Sequence, residues 1–440
     1  MAIDVSIVLT LHKEGDLIIP TVTAIAEQAK CAARVGLTVE LIFVLDRIDA
    51  TTEKALTALD CSAFANTQYL TVDYGSAALS RASGMHAAQG DYLLIQDGDD
   101  FMAYNAITAF HAMALVSGTR TILYPQWVIG FGERDFVTYY ENAAHVKGLM
   151  IDTHPFVATC FFHSSAIESL VHKQPCSERG EAFEDWLFNA EAMAKGYTLE
   201  YCPDTILFYR QHHGSAMDVI RESGQTFELP HNELFVPEVY LKRFQANFEG
   251  ASDSDNRHHE NESPKRFPDT ARLTGLIRGA EKIESMINLN KILTLKAGGY
   301  TRKSQHAGRK YYKIAQLIHR RSFDCVLLLP SSIKQENIAA ILLKMRSFVG
   351  QTAPILVITD GSGSQCCISD YLSVHDTLIT LPGKDEPLTR AEADHLAFRT
   401  ILAVAPCSPI FAIEGEISDR ILEKYKRQLS HRRITYVPKE

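Results

Sequence analysis

The chain has 440 residues, more than one core usually organises, so two domains are expected. Hydrophobic residues at 46% and charged residues at 22% are ordinary for a globular protein, and the net charge of −9 leaves no broad basic face for general nucleic-acid binding. The 9 cysteines form no C-x-x-C pair, and Cys366 and Cys367 are adjacent, which points to reduced cytosolic usage and against a disulfide framework or zinc site.

Met1-Ala2-Ile3-Asp4-Val5 runs directly into a strand pattern, without a basic leader or cleavage site. No stretch approaches the roughly 18 apolar residues that span a bilayer. A soluble, cytoplasmic protein is expected, at most peripheral at the inner face of the plasma membrane. Val5-Ser6-Ile7-Val8-Leu9 reads as a buried parallel strand, and Pro20 to Ala33 as an amphipathic helix with Val22, Ile25, Ala26 and Ala29 on one face. Val39 to Leu45 predicts a second strand ending at Asp46, and Thr67 to Val72 a third. A helix over Ala77 to Ala88 stops at Gly90, and the strand Tyr92-Leu93-Leu94-Ile95 leads into Gln96-Asp97-Gly98-Asp99-Asp100. Strands alternating with helices imply a parallel sheet with right-handed crossovers. Ligands of such sheets bind beyond the carboxyl ends of the strands, where Asp46 and Asp97 fall.

From Ala251 to Asp269 the chain is polar and aperiodic, as a loop or linker would be. Helical pattern returns from Thr270 to about Leu293. Residues 301–321 carry Arg302, Lys303, Arg309, Lys310, Lys313, Arg320 and Arg321 around Tyr311 and Tyr312. The plain reading of this run is a solvated helix face; the sharper one is docking on anionic lipid. A second α/β pattern follows: strands at Cys325 to Leu329, Ile355 to Thr359, Leu378 to Leu381, Ile410 to Ile413 and Ile434 to Val437, with helices at Ile338 to Phe348, Thr389 to Val404 and Ser418 to Leu429. Asp360-Gly361-Ser362-Gly363 is too short for a phosphate loop and reads as a turn.

Asp97-Gly98-Asp99 at a strand end supplies hard oxygen ligands of the kind Mg²⁺ or Mn²⁺ takes, although Asp and Gly also favour plain turns. Its neighbours give it more meaning. Ser6-Ile7-Val8-Leu9-Thr10-Leu11-His12-Lys13-Glu14 resembles the opening strand and loop of family-2 glycosyltransferases, commonly S-V-I-I-P-T-Y-N-E. Val44-Leu45-Asp46-Arg47 with Asp49 and Thr51 resembles their V-D-D-G-S-x-D-x-T. Ser80-Arg81-Ala82-Ser83-Gly84 and Ala87 to Tyr92 resemble S-R-N-x-G…A-x-G-E-Y, and Gln96 to Asp100 stands where that family has L-D-A-D-D. Phe183-Glu184-Asp185-Trp186 resembles the E-D-W motif, and Tyr209-Arg210-Gln211-His212-His213-Gly214-Ser215 resembles Y-R-x-H-x-G-S. The departures are Thr10 and Lys13 for Pro and Asn, Leu45 for Asp, Arg47 for Gly and Ala82 for Asn.

The resemblance implies a GT-A nucleotide-sugar-binding domain, a mixed sheet flanked by helices, over residues 1–248. A helical, partly basic linker would cover 249–321. A second Rossmann-like α/β unit would cover 322–440, weakly similar to the amino-terminal half of a GT-B glycosyltransferase. It further implies an inverting transfer of sugar from a nucleotide-diphosphate sugar to a glycan or lipid-linked glycan hydroxyl, in surface polysaccharide or lipopolysaccharide synthesis. Asp46 would bond the base, with Thr10, Leu11 and Glu14 completing that pocket. Arg81, Asp97 and Gly98 would face the donor. Asp99, with Asp97 and His212 or His213, would hold Mn²⁺ or Mg²⁺. Asp185 would be the general base, with Glu184 its competitor. Trp186 reads as core packing. The rival readings are a degenerate GT-A domain that binds glycan or a partner, and a sugar nucleotidyltransferase, for which an early Gly-rich triphosphate loop is missing.

Overall fold

The computed structural model describes residues 2–140, 146–215, 220, 222–249, 267–268, 270–298, 305–361, 368–382, 387–404 and 408–438. The protein is a mixed α/β structure with two sheets. In the first, β1 (Val5–Leu11), β2 (Val39–Asp46), β3 (Asn66–Val72) and β4 (Tyr92–Asp97) are parallel in the order β3-β2-β1-β4. All seven residues of β1 are buried, as a strand covered on both faces requires. Helices α1 (Ile18–Ala33), α2 (Ala50–Thr57) and α3 (Ala77–Ala87) make the crossovers. Asp49 caps α2 by accepting from Thr52 N, and Ser76 caps α3 by accepting from Leu79 N.

The sheet continues beyond the parallel strands expected from sequence. After β5 (Phe101–Met102) and α4 (Ala106–Ser117) come β6 (Thr121–Gly132), β7 (Phe136–Tyr139) and β8 (Cys160–His163). Strand β8 pairs antiparallel with β4 and β6, and the long β9 (Thr198–Gln211) runs parallel to β6 and antiparallel to β5. The addition makes the sheet mixed. It also carries the carboxyl end of β9 back to the end of β4. Helix α5 (Glu184–Ala194) enters between β8 and β9 with Trp186, Leu187, Phe188 and Ala190 buried.

The stretch between the two sheets is built into the structure. Helix α6 (Pro237–Phe248) packs with α9 (His306–Ile318). Helices α7 (Ala271–Glu281) and α8 (Leu289–Thr294) bury Leu273, Ile277 and Ile292 against Trp127, Ile129 and Phe208, and β10 (Ala297–Gly298) pairs with β7. In α9 Tyr311 and Tyr312 are buried and Arg309 and Lys310 half-buried, while Lys313 is exposed. Arg320 N donates to Glu238 at 2.6 Å and Arg321 to Thr377 Oγ1 at 2.9 Å. Arg302 and Lys303 lie outside the described residues, as does most of the polar stretch from Ala251.

The second sheet is parallel throughout, in the order β13-β12-β11-β14-β15. Its strands are β11 (Cys325–Leu329), β12 (Ile355–Thr359), β13 (Thr377–Thr380), β14 (Ile410–Ile413) and β15 (Ile434–Val437). Helices α10 (Gln335–Val349), α11 (Arg390–Val404) and α12 (Glu416–Lys424) flank it. Asp360 accepts from Ser331 N at 2.9 Å, a turn-closing bond at the end of β12; Ser362 and Gly363 fall outside the described residues. One apolar cluster runs from Val5 through Tyr311 to Leu429, so the two sheets share a continuous core.

Candidate active site

Four segments meet at the carboxyl edge of the first sheet. Register places Thr10 of β1 beside Asp97 of β4. A Cβ on Gly98 would sit 2.5 Å from Leu11 Cδ2, 3.0 Å from Thr10 O and 3.1 Å from Glu14 Cγ, so the glycine lets the two strand-end loops touch. Glu14 turns back to accept from His12 N at 2.6 Å. Burial lifts the Glu14 carboxyl above its usual range, and the charge of Asp99 adds to the effect.

Asp46 is buried, and its carboxylate is saturated. Oδ1 accepts from Tyr74 N and Gly75 N at 2.9 and 2.8 Å; Oδ2 accepts from Ser76 N and Ser80 Oγ at 2.9 and 2.8 Å. Four acceptor positions meet four donors, so the side chain holds the 74–76 loop onto α3 and offers nothing to a base. Burial alone would raise this carboxyl, but the four hydrogen bonds outweigh it and hold it below the usual range. The loop itself and the His12 ring, whose Nδ1 lies 2.6 Å from Asp46 O, are what this corner presents.

Arg81, from α3, ties the early and late motifs together. Its guanidinium donates to Asp97 Oδ1 at 2.6 Å and to Glu184 Oε1 at 2.9 Å, although the two acids are far apart in sequence. Burial would weaken the Arg81 charge, yet the two carboxylates more than compensate and raise its pKa. Glu184 is thereby spent on Arg81, while Asp185, its neighbour, is not. The side chains of Asp97, Asp99 and Asp185 remain 29%, 26% and 26% exposed, enough for a ligand to reach them. Burial raises the pKa of Tyr209, on β9, and the charges of Asp100, Asp97, Asp99 and Asp185 add to the rise.

The Tyr209 to His212 stretch closes the far side. Arg210 N donates to buried Asp100 at 2.7 Å, and Arg210 Nε to Asp99 O at 3.1 Å. His212 Nε2 lies 2.9 Å from Asp99 Oδ2 and raises the ring's pKa through that bond. His213 turns away toward Glu222, with its side chain 77% exposed. Among the described residues no group of three or more His, Cys, Asp or Glu stands assembled as a metal cage. Asp99 and His212 make a two-donor set, while Asp97 is engaged through Oδ1 by Arg81. That number fits a hard cation which keeps waters and substrate phosphates as its other ligands.

Asp185 is the second residue of α5, whose N-cap, Phe183, holds a positive φ of 69°. A bulky residue in that conformation stores of order 1–3 kcal/mol and marks a backbone held by its surroundings. Sequence reading did not find the group behind Asp185. His154 Nδ1 lies 3.5 Å from Asp185 Oδ2, its ring stacks parallel to Trp186, and its Nε2 is 2.9 Å from Asn189 Nδ2. Tyr124 OH donates to Asn189 Oδ1 and so orients that amide. With the amide N–H on Nε2, a neutral His154 keeps its proton on Nδ1, facing Asp185. Burial pushes His154 down to about 3, which keeps the ring neutral, and burial pushes Asp185 upward against the pull of Arg81. Trp186 itself is buried and donates to Met150 O at 3.2 Å, a packing role.

Residues 6–166 match the sequence model of Glycosyl transferase family 2. Among solved structures, S. aureus TarS residues 1–349 share 13% identity over 72% of this chain and 91% of that one, with a TM-score of 0.37. The same fragment in complex with UDP-GlcNAc gives 13% over 72% and 92%, with a TM-score of 0.39, and the longer TarS gives 13% over 73% and 56%, with 0.38. Comparison with curated proteins gave no match. Among the described residues no helix is long and apolar enough to cross a membrane. With the motif-bearing strands in place and residues 6–166 matched to the model of Glycosyl transferase family 2, the protein is a glycosyltransferase.

Proposed function

We propose that the protein transfers a sugar from a nucleotide-diphosphate donor to a glycan or lipid-linked glycan hydroxyl by direct displacement, with inversion, in surface polysaccharide assembly. The observation that carries this reading is the Arg81 bridge. Through one guanidinium it joins Asp97 of the Asp97-Gly98-Asp99 turn to Glu184 of the Glu184-Asp185 helix start, which supports a shared site.

The donor's diphosphate would lie over the Asp97 to Asp99 turn, with the nucleoside toward the Thr10 to Glu14 and Tyr74 to Ser76 loops. Asp99 and His212, with Asp97, would hold Mn²⁺ or Mg²⁺. Such a cation supplies charge neutralisation for the departing diphosphate when bound. Asp185 would accept the proton of the incoming hydroxyl, and its raised pKa suits a base. Glu184, engaged by Arg81, serves as a brace. A single carboxylate on the acceptor side fits one displacement and therefore inversion.

Peripheral contact with anionic lipid is part of the proposal for the exposed cations Lys313, Arg320 and Arg321, since Arg309 and Lys310 are half-buried. The test of donor and metal is calorimetry against UDP, GDP, CMP and dTDP sugars with Mn²⁺. One sugar nucleotide should bind to wild type, and binding should fall at least tenfold with EDTA or in Asp99→Ala. Binding indifferent to both would reject the metal site.

A further inference from the structure

The second α/β unit contains no residue of the cleft, yet it grips the segment that carries the base from two sides. One grip falls on residues 177–182 and 225–229. Glu228 N donates to Gly180 O at 2.9 Å and Ala182 N to Glu228 O at 3.1 Å, a short parallel bridge that leads into Phe183, Glu184 and Asp185. The second unit holds this bridge through backbone atoms. Gln428 Nε2 donates to Gly180 O at 2.9 Å and to Thr226 O at 3.1 Å, and Arg427 donates to Ser177 O and Gln225. Arg399, 1% exposed, donates to Leu229 O at 2.6 Å and to Glu228 Oε2 at 3.2 Å.

The other grip falls behind the His154 side. His395 Nε2 bonds Ile151 O at 2.9 Å. The adjacent Met150 O accepts from Trp186 Nε1, and His154 stacks on that same indole. Helix α11 and the turn that follows α12 thus fix both the segment before Asp185 and the segment that carries His154.

We propose that the second α/β unit is a positioning domain for the general base, with Gln428, Arg427, Arg399 and His395 as positioning residues that hold the Phe183 to Asp185 turn in its strained, productive conformation. This rests on the reading of Asp185 as the base. The unit therefore governs turnover and leaves donor affinity alone, because Asp97, Asp99 and the Thr10 to Glu14 loop lie at the strand ends of the first sheet.

The experiment uses the full chain. Arg427→Ala/Gln428→Ala removes hydrogen bonds to backbone oxygens without stranding a buried charge. His395→Ala breaks the other grip, and His395→Gln returns an amide N–H to Ile151 O. Hydrogen exchange should rise over residues 180–187 in the double variant and stay unchanged over 39–46 and 92–99. With the sugar nucleotide that turns over in a UDP, GDP, CMP and dTDP panel, kcat should fall at least fivefold, while KM for the donor stays within twofold. The His395→Ala loss should be recovered in His395→Gln. Unchanged exchange over 180–187, unchanged kcat, or a rise in donor KM matching the fall in kcat would overturn the positioning role. Asp185→Asn separates the two ideas. Normal turnover in it rejects the base, and the exchange result still decides whether the second unit holds the segment.

Discussion

Asp185 lies in a setting that biases it toward accepting a proton. Burial raises its pKa, and Arg81 and the Trp186 N–H only partly offset that rise. A base works deprotonated, so activity falls as pH drops through a value above the ordinary aspartate range of about 3.9. We expect the acidic limb of kcat/KM to sit above that range in wild type and to move further up in Arg81→Lys, where a point charge replaces the fork that spans Asp97 and Glu184. A limb at or below the ordinary value would be the contrary result. His154→Phe keeps the stack on Trp186 but removes Nδ1–H. We expect roughly a tenfold fall in kcat, about 1.4 kcal/mol, with donor binding intact by calorimetry. His154 was not legible in the sequence, because it stands in an irregular stretch with no spacing that connects it to Asp185. The acids were legible, since each falls at a strand end or helix start inside a motif. The role of Asp46 was not, because saturation by Tyr74, Gly75, Ser76 and Ser80 depends on how the following loop folds back.

At the level of elements, the four parallel strands could be read to within a residue or two, because β1, β2 and β4 carry short apolar runs and β3 is rich in β-branched and aromatic residues. The antiparallel half was hidden. Strand β6 contains Pro125, where its pairing with β9 shifts register, and β9 is interrupted by Pro203 and by Asp204 at a φ of 55°. Proline and positive φ break the alternation from which strands are recognised. The element that shapes the nucleoside corner is the 74–76 loop, held by Asp46. Its carboxyl is depressed in the folded state, so its contribution is fully present above the unfolded value and fades as pH falls through the lower folded one. We expect Asp46→Asn to lose about 1–3 kcal/mol in urea unfolding at pH 7, a gap that closes only in acid below about pH 3.9. A gap that instead closed on the alkaline side would contradict the assignment.

For the whole molecule, the expected two α/β patterns are present, and they do not stand apart. One apolar cluster spans both sheets, and Arg399 is buried against Glu228 and Leu229 of the first unit. Burial lowers the Arg399 pKa and would raise that of Glu228, yet His395 and Arg399 together hold the Glu228 carboxyl below its usual range. Neither partner is marked by any motif, which is why a linker between two bodies was the natural sequence reading. We expect one cooperative thermal transition by calorimetry, and Arg399→Met to lower Tm by several degrees by leaving Glu228 short of a partner. Two well-separated transitions would show that the units unfold independently.

The central claim is that carboxylates from distant motifs serve one reaction, with Asp185 as its base. Asp185→Asn in a transfer assay tests it most directly, because the amide keeps the shape and loses only the basicity. We expect turnover to fall by about 10²–10⁴-fold with donor affinity unchanged; turnover near the wild-type rate with the same acceptor would contradict it.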